Sequence, residues 1–351
     1  MNDPPARPRI SDIAKELGLH KSTVSLALNS HPKISAKTTE RVKQMALEMG
    51  YFPDPVARTL SRMRRFDKKG KTRFPIAWLN LHENQHYWNK FPAPQQYLTG
   101  AQERAYELGY YLENFWLHEK GMKLHRIRSI LHNRAIDRII MPLYFQANEN
   151  INPHLWKEFS VVSLCHAPKE QFFDHVCPDY YHNMGIILDR LVDLGYRKIG
   201  LALKENYVRT TKGLALSRYL AYQQTIDPDL RVPPCLLPPS PAEKVKSYQH
   251  WITAYHPDII ISRDYPVIDL IREAGFSVPD DIELVHTQIT PENQEYAGIL
   301  EHPKRIGAVA VDWLVQKAEN QNNAAAHNPL TISVKGDWQD GFTLRQGNAS
   351  T

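Results

Sequence analysis

The fold of the first sixty or so residues is decided by one stretch, Ile10-Ser-Asp-Ile-Ala-Lys-Glu-Leu-Gly-Leu-His-Lys-Ser-Thr-Val-Ser-Leu-Ala-Leu-Asn29. It reads as two short helices, each with one apolar face, joined by a turn. Ser11 is the predicted N-cap of the first helix, because its hydroxyl can accept a backbone N–H. Gly18 predicts the turn, since a residue there must tolerate a positive φ. The second helix is predicted over residues 21–29, which makes the stretch a helix-turn-helix.

The second predicted helix carries side chains suited to reading DNA. Val24 and Leu28 are expected to be buried, which leaves lysine, serine and asparagine side chains to donate hydrogen bonds in the major groove. An ordinary αα-hairpin within a larger domain is the alternative interpretation. The predicted DNA contacts are Lys21, Ser22 and Ser25 as base-discriminating residues, Leu26 as an apolar contact, Thr23 and Asn29 as backbone-positioning residues, and Lys33.

Charge is distributed unevenly along the chain. Residues 1–73 hold 16 Lys and Arg against 7 Asp and Glu, a net charge of +9. Residues 74–351 hold 27 against 31, a net charge of −4. The basic excess is therefore confined to the segment that contains the helix-turn-helix, as expected of a surface that meets DNA phosphates.

A third helix is predicted over residues 38–47, with Ser35 as its cap, and a basic segment follows at 55–65. The successive motifs are Ile13-Ala14, Ser22-Thr23-Val24-Ser25, Ala27-Leu28-Asn29, Ile34-Ser35, Gly50-Tyr51 and Val56-Ala57-Arg58-Thr59-Leu60. With these motifs in this order, the chain resembles the LacI/GalR family of bacterial transcription regulators. The resemblance implies a sequence-specific regulator, a repressor by default, that binds a near-palindromic operator as a homodimer.

The resemblance also implies a hinge helix. It would fold over residues 54–64 on DNA, with paired Leu60 side chains inserted as wedges into the minor groove. The chain departs from the family at Leu26, where arginine is common, and at His20, where a hydroxyl cap is usual. Because leucine cannot hydrogen-bond a guanine edge, the operators of relatives cannot be transferred to this chain. The implied DNA contacts in the hinge are Ala57, Arg58 and Leu60.

From residue 75 onward, short apolar runs alternate with helix-like segments, which predicts parallel β-sheets. Two such sets imply two doubly wound lobes, and the resemblance implies a periplasmic-binding-protein-like pair with a ligand cleft between them. The predicted fold class is α/β with an all-α head. The predicted domains are 1–53 for the helix-turn-helix, 54–74 for the hinge and linker, and 75–351 for effector binding and dimerisation. The predicted strands cover 76–80, 110–114, 138–141, 160–164, 198–202, 235–237, 258–261 and 282–285.

His82-Glu83-Asn84-Gln85-His86 matches the H-E-x-x-H zinc motif, which needs a helix to place both imidazoles on one face. Here it follows a predicted strand and leads into a proline-containing loop. A loop that lines the cleft is therefore the preferred interpretation, and a metal-dependent hydrolase is the alternative. The three cysteines, Cys165, Cys177 and Cys235, are widely spaced, and we expect them to be reduced, with no metal, catalytic or cofactor site.

No apolar run approaches the roughly twenty residues of a membrane span. The N-terminus lacks the apolar core of a signal peptide, which disfavours a secreted solute-binding protein and leads us to expect a cytoplasmic one.

Effector contacts are predicted where loops follow strands, because ligands of open α/β sheets bind at the carboxyl ends of the strands. The family has asparagine where this chain has Arg263, and aspartate where it has Gln288. These changes indicate a ligand that differs from simple sugars, such as an acidic sugar or an oligosaccharide. Lys212 rivals Arg209 for the family's polar contact, because the spacing to the next glycine is stretched. The predicted effector contacts are His82, Tyr87, Trp88, Tyr144, Arg209, Arg263, Asp264, Gln288 and Glu301.

Overall fold

The computed structural model describes residues 8–28, 34–51, 73–86, 92–142, 153–165, 172–264, 267–289, 294–319 and 328–345. The chain forms two compact units, Met1–Arg73 and Phe74–Thr351, called here the head and the effector unit. The predicted hinge and linker lie outside the described residues except at their end, where Phe74 already belongs to the first strand.

The described part of the head contains three helices around a small apolar core. Its helices are α1 (Ile10–Leu17), α2 (Lys21–Leu28) and α3 (Ala36–Glu48). Leu28 is half-buried and packs against this core, so its predicted burial is confirmed only in part. Ala27, three residues after Val24, lies on the same helix face and is fully buried. The side chains with no exposed surface are Ile13, Val24, Ala27 and Val42.

The ends of these helices follow the sequence signals, with one correction. Gly18 adopts a φ of 63° and ends α1, as predicted. Ser35 caps α3 and accepts a backbone N–H at 3.2 Å. Ser11, by contrast, is not the N-cap of α1. The helix begins two residues earlier with Arg9 as its N-cap, because the Asp12 carboxylate accepts the Arg9 N–H at 2.7 Å.

The first lobe of the effector unit is a six-stranded parallel sheet flanked by helices. Its elements are β1 (Phe74–Asn80), α4 (Pro92–Glu107), β2 (Tyr110–Trp116), α5 (Leu124–Asn133), β3 (Arg138–Pro142), β4 (Ser160–Leu164) and β5 (Asp174–Pro178), joined later in the chain by α11 (Pro303–Glu319) and β11 (Thr331–Val334). The strand order is β11-β5-β4-β3-β1-β2. Apolar cores cover both faces of this sheet.

The second lobe is also six-stranded. Its elements are α6 (Tyr180–Asp193), β6 (Ile199–Lys204), α7 (Glu205–Thr210), α8 (Leu214–Gln223), β7 (Cys235–Leu237), α9 (Pro241–Tyr255), β8 (Ile259–Ser262), α10 (Val267–Glu273), β9 (Glu283–Ile289), β10 (Ala297–Leu300) and β12 (Asp337–Gln339). The strand order is β12-β10-β9-β8-β6-β7, and only the β12–β10 pairing is antiparallel among the described pairs. The chain passes between the lobes after β5, after β10 and after β11.

Helices α4 and α11 cross in direct backbone contact. A Cβ atom at Gly100 would lie 1.9 Å from the Lys304 carbonyl oxygen, and one at Gly307 would lie 2.0 Å from the Tyr97 carbonyl oxygen. Only glycine fits at either position. The crossing therefore fixes the backbone of Tyr97, whose side chain belongs to the site described below.

A buried ion pair ties α11 to the sheet of the first lobe. Lys317 Nζ lies 3.0 Å from Asp174 Oδ2 at the start of β5, and both side chains are buried. The Trp313 indole donates to the same oxygen at 2.9 Å, and the Leu330 N–H donates to Asp174 Oδ1 at 2.9 Å. Burial raises the pKa of the Asp174 carboxyl, but these hydrogen bonds and the Lys317 charge outweigh it and hold the pKa below its ordinary value.

Candidate DNA-binding surface and effector cleft

Helix α2 begins with two residues that are exposed to solvent. Lys21 and Ser22 are exposed, while Thr23, Ser25 and Leu26 are half-buried. The remaining predicted DNA contacts, Asn29, Lys33, Ala57, Arg58 and Leu60, lie outside the described residues.

His20 supplies the cap of α2. Its Nδ1 atom accepts the Ser22 N–H at 3.3 Å and lies 2.8 Å from the Ser22 hydroxyl. The imidazole thus takes the place of the hydroxyl cap and holds the Ser22 side chain at the start of the helix.

The loop after β1 is a series of side-chain-stabilised turns. The Asn80 carboxamide accepts the His82 N–H at 2.9 Å, His82 Nδ1 accepts the Asn84 N–H at 2.9 Å, and Asn84 in turn accepts the His86 N–H at 2.9 Å. Residues 82–86 are therefore not helical, and the H-E-x-x-H spacing does not place two imidazoles on one helix face. Within the described ranges, no cluster of three His, Cys, Asp or Glu side chains could hold a metal ion. Tyr87, Trp88 and Tyr144 lie outside those ranges.

The centre of the candidate effector cleft is an ion pair at the carboxyl edge of the second sheet. Arg263, just after β8, lies 3.5 Å from Glu301, just after β10, and the Glu301 side chain is only 2% exposed. The Arg263 guanidinium carbon lies 4.6 Å from the centre of the Tyr207 ring on α7. Gln288 donates from its carboxamide to the other Glu301 oxygen. Burial raises the pKa of Glu301, although Arg263 and Gln288 partly offset that effect.

The first lobe contributes side chains to the same place. Tyr97 on α4 interacts electrostatically with both Arg263 and Glu301 and forms a hydrogen bond with Cys165, which follows β4. Tyr180, at the first crossing between the lobes, also forms a hydrogen bond with Cys165. Burial raises the pKa of the Cys165 thiol to about 11. We call the set Tyr97, Tyr180, Tyr207, Gln288, Arg263 and Glu301 the central cluster.

Asp264 lies beside the central cluster but is held between two lysines. Its side chain is 1% exposed, its Oδ1 atom contacts Lys204 Nζ at the end of β6, and its Oδ2 atom lies 2.7 Å from Lys244 Nζ on α9. His286 Nε2 lies 3.3 Å from the Asp264 carbonyl oxygen. Sequence reasoning identified Asp264 but missed both lysines. We call Lys204, Lys244 and Asp264 the lysine cluster.

Arg209 and its rival Lys212 are both exposed at the end of α7. Among the described contacts, none joins Arg209 to the central cluster. Lys212 lies in the left-handed turn that follows, and its charge acts on His175 of the first lobe. Burial and then the Lys212 charge act to lower the pKa of His175, which stands at about 4.

Comparison with known proteins gives one match to the head alone and others that extend into the effector unit. Residues 9–54 match the family model for bacterial regulatory proteins of the lacI family. The transcriptional repressor PurR of Glaesserella parasuis serovar 5 is 21% identical over 338 residues, which is 93% of this chain and 94% of PurR. Residues 9–54 thus carry a DNA-binding domain of the lacI family. The regulator IpsA of Corynebacterium glutamicum is 25% identical over 195 residues, 55% of this chain and about half, 51%, of IpsA.

Solved structures of lacI-family proteins share the fold of this chain. A complex of the transcriptional regulator CelR with cellobiose has a TM-score of 0.57 at 16% identity, covering 96% of this chain and 100% of CelR. The lac repressor dimer bound to operator and the anti-inducer ONPF has a TM-score of 0.55 at 18% identity, covering 96% of this chain and 99% of the repressor chain.

The predicted family resemblance and the predicted α/β fold class are therefore confirmed, and the chain is a DNA-binding transcriptional regulator. Its described helices include none that is both long and apolar enough to cross a membrane.

Proposed function

We propose that this lacI-family regulator represses transcription as a homodimer on a near-palindromic operator, and that a carbohydrate effector in the cleft between its lobes controls operator affinity. The protein would act in the cytoplasm by binding alone, with no catalytic step. The observation that carries the effector part is the central cluster, to which both lobes contribute side chains around the Arg263–Glu301 pair.

The chemistry of the central cluster suits a polyol. A carboxylate accepts hydrogen bonds from sugar hydroxyls, a guanidinium donates to them, and phenol rings pack against the apolar face of a sugar ring. In this structure Arg263 Nη1 and Glu301 Oε1 are buried without a hydrogen bond, and the 3.5 Å between them is longer than one. Both atoms can therefore take a ligand hydroxyl. The cellobiose complex of CelR is a precedent for such a ligand in this fold.

Control of DNA binding follows from the position of the cluster. Because Tyr97 lies on the first lobe and Arg263 on the second, a ligand that bridges them favours one relative orientation of the lobes over others. The two hinge segments of a dimer would follow that orientation. The lac repressor dimer bound to both operator and anti-inducer supports this arrangement.

The decisive experiment is an operator selection from random DNA with the full chain, followed by release assays with a panel of sugars. We expect a two-fold symmetric site and release by at least one sugar. Glu301→Gln should lower the potency of that sugar by at least about 10-fold, because hydrogen bonds to a charged group contribute about 1.5–3 kcal/mol. Glu273→Gln, an exposed site on α10, is the matched control and should leave potency unchanged. Equal potency in both variants would remove Glu301 from the effector site.

The base-reading part of the proposal is tested at Leu26. Leu26→Arg should change the preferred base pair at one position of each half-site, with a discrimination of about 1–3 kcal/mol, because arginine reads guanine where leucine at most touches a thymine methyl. Leu47→Arg adds the same charge at a position of α3 that is 70% exposed, and it should leave the consensus unchanged. Parallel operator selections measure both. An unaltered consensus with Leu26→Arg would mean that residue 26 does not face the bases.

A further inference from the structure

We infer that the effector carries an anionic group, which the lysine cluster binds, next to a polyol part held by the central cluster. This inference rests on the proposed function and specifies its ligand class. It starts from a charge imbalance at the carboxyl edge of the second sheet, where two ammonium groups share one carboxylate.

This charge imbalance lies in a buried part of the second lobe. Asp264 is almost fully buried, and Lys244, which contacts one of its oxygens, is buried as well. A buried cation is costly unless a counter-charge neutralises it. Asp264 supplies one negative charge to two lysines, so the lysine cluster keeps a net charge of +1. An anionic ligand would supply the missing counter-charge in a setting where water screens it poorly.

Lys204 makes this surplus charge accessible. Its side chain is 38% exposed, while its Nζ atom contacts the buried Asp264. Three donor hydrogens on an ammonium group leave Lys204 able to bind a second acceptor from the cleft side. Arg209 and Lys212, exposed at the end of the helix that Lys204 precedes, add positive charge, and Glu205 is the acidic residue on that helix.

The two clusters are adjacent through the backbone. Asp264 of the lysine cluster directly follows Arg263 of the central cluster, and Lys204 directly precedes α7, whose Tyr207 ring packs against Arg263. One ligand can therefore contact both the lysine cluster and the central cluster. The cations are concentrated at this edge although residues 74–351 as a whole carry a net charge of −4, so the local surplus does not reflect a generally basic domain.

A phosphoryl group and a carboxylate share this chemistry, and the first experiment uses the simplest probe, inorganic phosphate. Thermal unfolding of the full chain is compared in phosphate and in chloride at equal ionic strength. We expect phosphate to raise the midpoint for the wild-type protein, and Lys204→Met to remove most of that rise. Lys246→Met, at an exposed lysine two residues after Lys244, is the matched control and should respond like wild type.

Asp264→Asn separates a binding role from a merely structural one. Removal of the competing carboxylate should increase the response to phosphate several-fold, whereas loss of a structural ion pair would not strengthen anion binding. Lys204→Met is the variant expected to disturb folding least, because it leaves the buried Lys244–Asp264 pair intact. Equal responses to phosphate in wild type, Lys204→Met and Asp264→Asn would overturn the inference.

The second experiment tests sugars in the operator-release assay, with D-glucose, D-glucose 6-phosphate and D-glucuronate as one matched set and other neutral and anionic pairs beside it. An anionic member should be at least about 10-fold more potent than its neutral parent, with a preference for phosphate or carboxylate identifying the group. A neutral sugar that releases the operator equally well from wild type and Lys204→Met would overturn the anionic ligand and leave the proposed function standing. Failure to select any operator would instead overturn the proposed function, whatever the response to phosphate.

Discussion

Operator affinity of the full chain is expected to fall by about 10³ to 10⁵ when the salt concentration rises from 50 to 200 mM, as for proteins that make roughly 6–10 phosphate contacts. The reason is the concentration of charge in the head, where residues 1–73 carry a net charge of +9. Each lysine or arginine that meets a phosphate releases a condensed cation from DNA, and added salt opposes that release.

The measurement is a fluorescence-anisotropy titration of the selected operator at four or more salt concentrations. Lys21→Met should weaken binding and reduce the slope of log affinity against log salt by about 1 if Lys21 meets a phosphate, and by less if it reads a base. Lys246→Met removes the same charge from an exposed position of the second lobe and should leave the slope unaltered. A wild-type affinity that does not change with salt would contradict the electrostatic account of the head.

The head was the most predictable part of the chain because its signals are local. Gly18 must adopt a positive φ, and Ser35 needs only a backbone N–H a few residues away, so both could be located without tertiary information. The prediction that Ser11 is the N-cap was wrong because the Asp12 side chain competes for the same end of the helix. A carboxylate that accepts the Arg9 N–H starts α1 two residues earlier than a hydroxyl at Ser11 would.

In the effector unit, most apolar strands were predicted, whereas the apolar β10 and the more polar β5, β11 and β12 were missed. Strands β3, β4 and β8 are buried along their whole length and read as short apolar runs. Strand β5 is equally buried, but it begins with the polar residues Asp174 and His175 and therefore does not read as an apolar run. Strand β11 lies at an edge and is half-exposed, so its burial pattern lacks an apolar run.

The candidate site was predictable where it depends on strand ends and unpredictable where it depends on the approach of distant elements. Arg263 was predicted because it follows a predicted strand, whereas Gln288 and Glu301 were predicted from the family resemblance. The structure brings all three together at the carboxyl edge of the second sheet. Tyr97 and Lys244 lie within helices, where nothing in the periodicity distinguishes them. Their positions are set by helix packing, which for Tyr97 includes a close backbone contact with Gly307.

The ion pair between Asp174 and Lys317 gives the largest expected effect on stability. Asp174→Asn should lower the free energy of unfolding of the effector unit by about 3–5 kcal/mol, because it leaves the Lys317 ammonium buried without a counter-charge. Asp312→Asn is the matched control on the same helix. It removes a partner of Arg104 from a half-exposed pair and should cost no more than about 1 kcal/mol. Urea unfolding of the full chain, followed by circular dichroism, measures both.

The double variant Asp174→Asn with Lys317→Met tests why the single change is costly. If the cost comes from an uncompensated buried charge, removing the second charge as well should recover part of the stability, so that the two single effects sum to more than the double one.

The dependence of stability on pH follows from the lowered pKa of Asp174. Its contribution is present above the ordinary carboxyl pKa of about 3.9 and is lost as the pH falls through the lower, folded-state pKa. The stability difference between wild type and Asp174→Asn should therefore be constant near neutral pH and shrink below about pH 4. A difference that stays constant through that range would mean that Asp174 stabilises the lobe by packing and not by its charge.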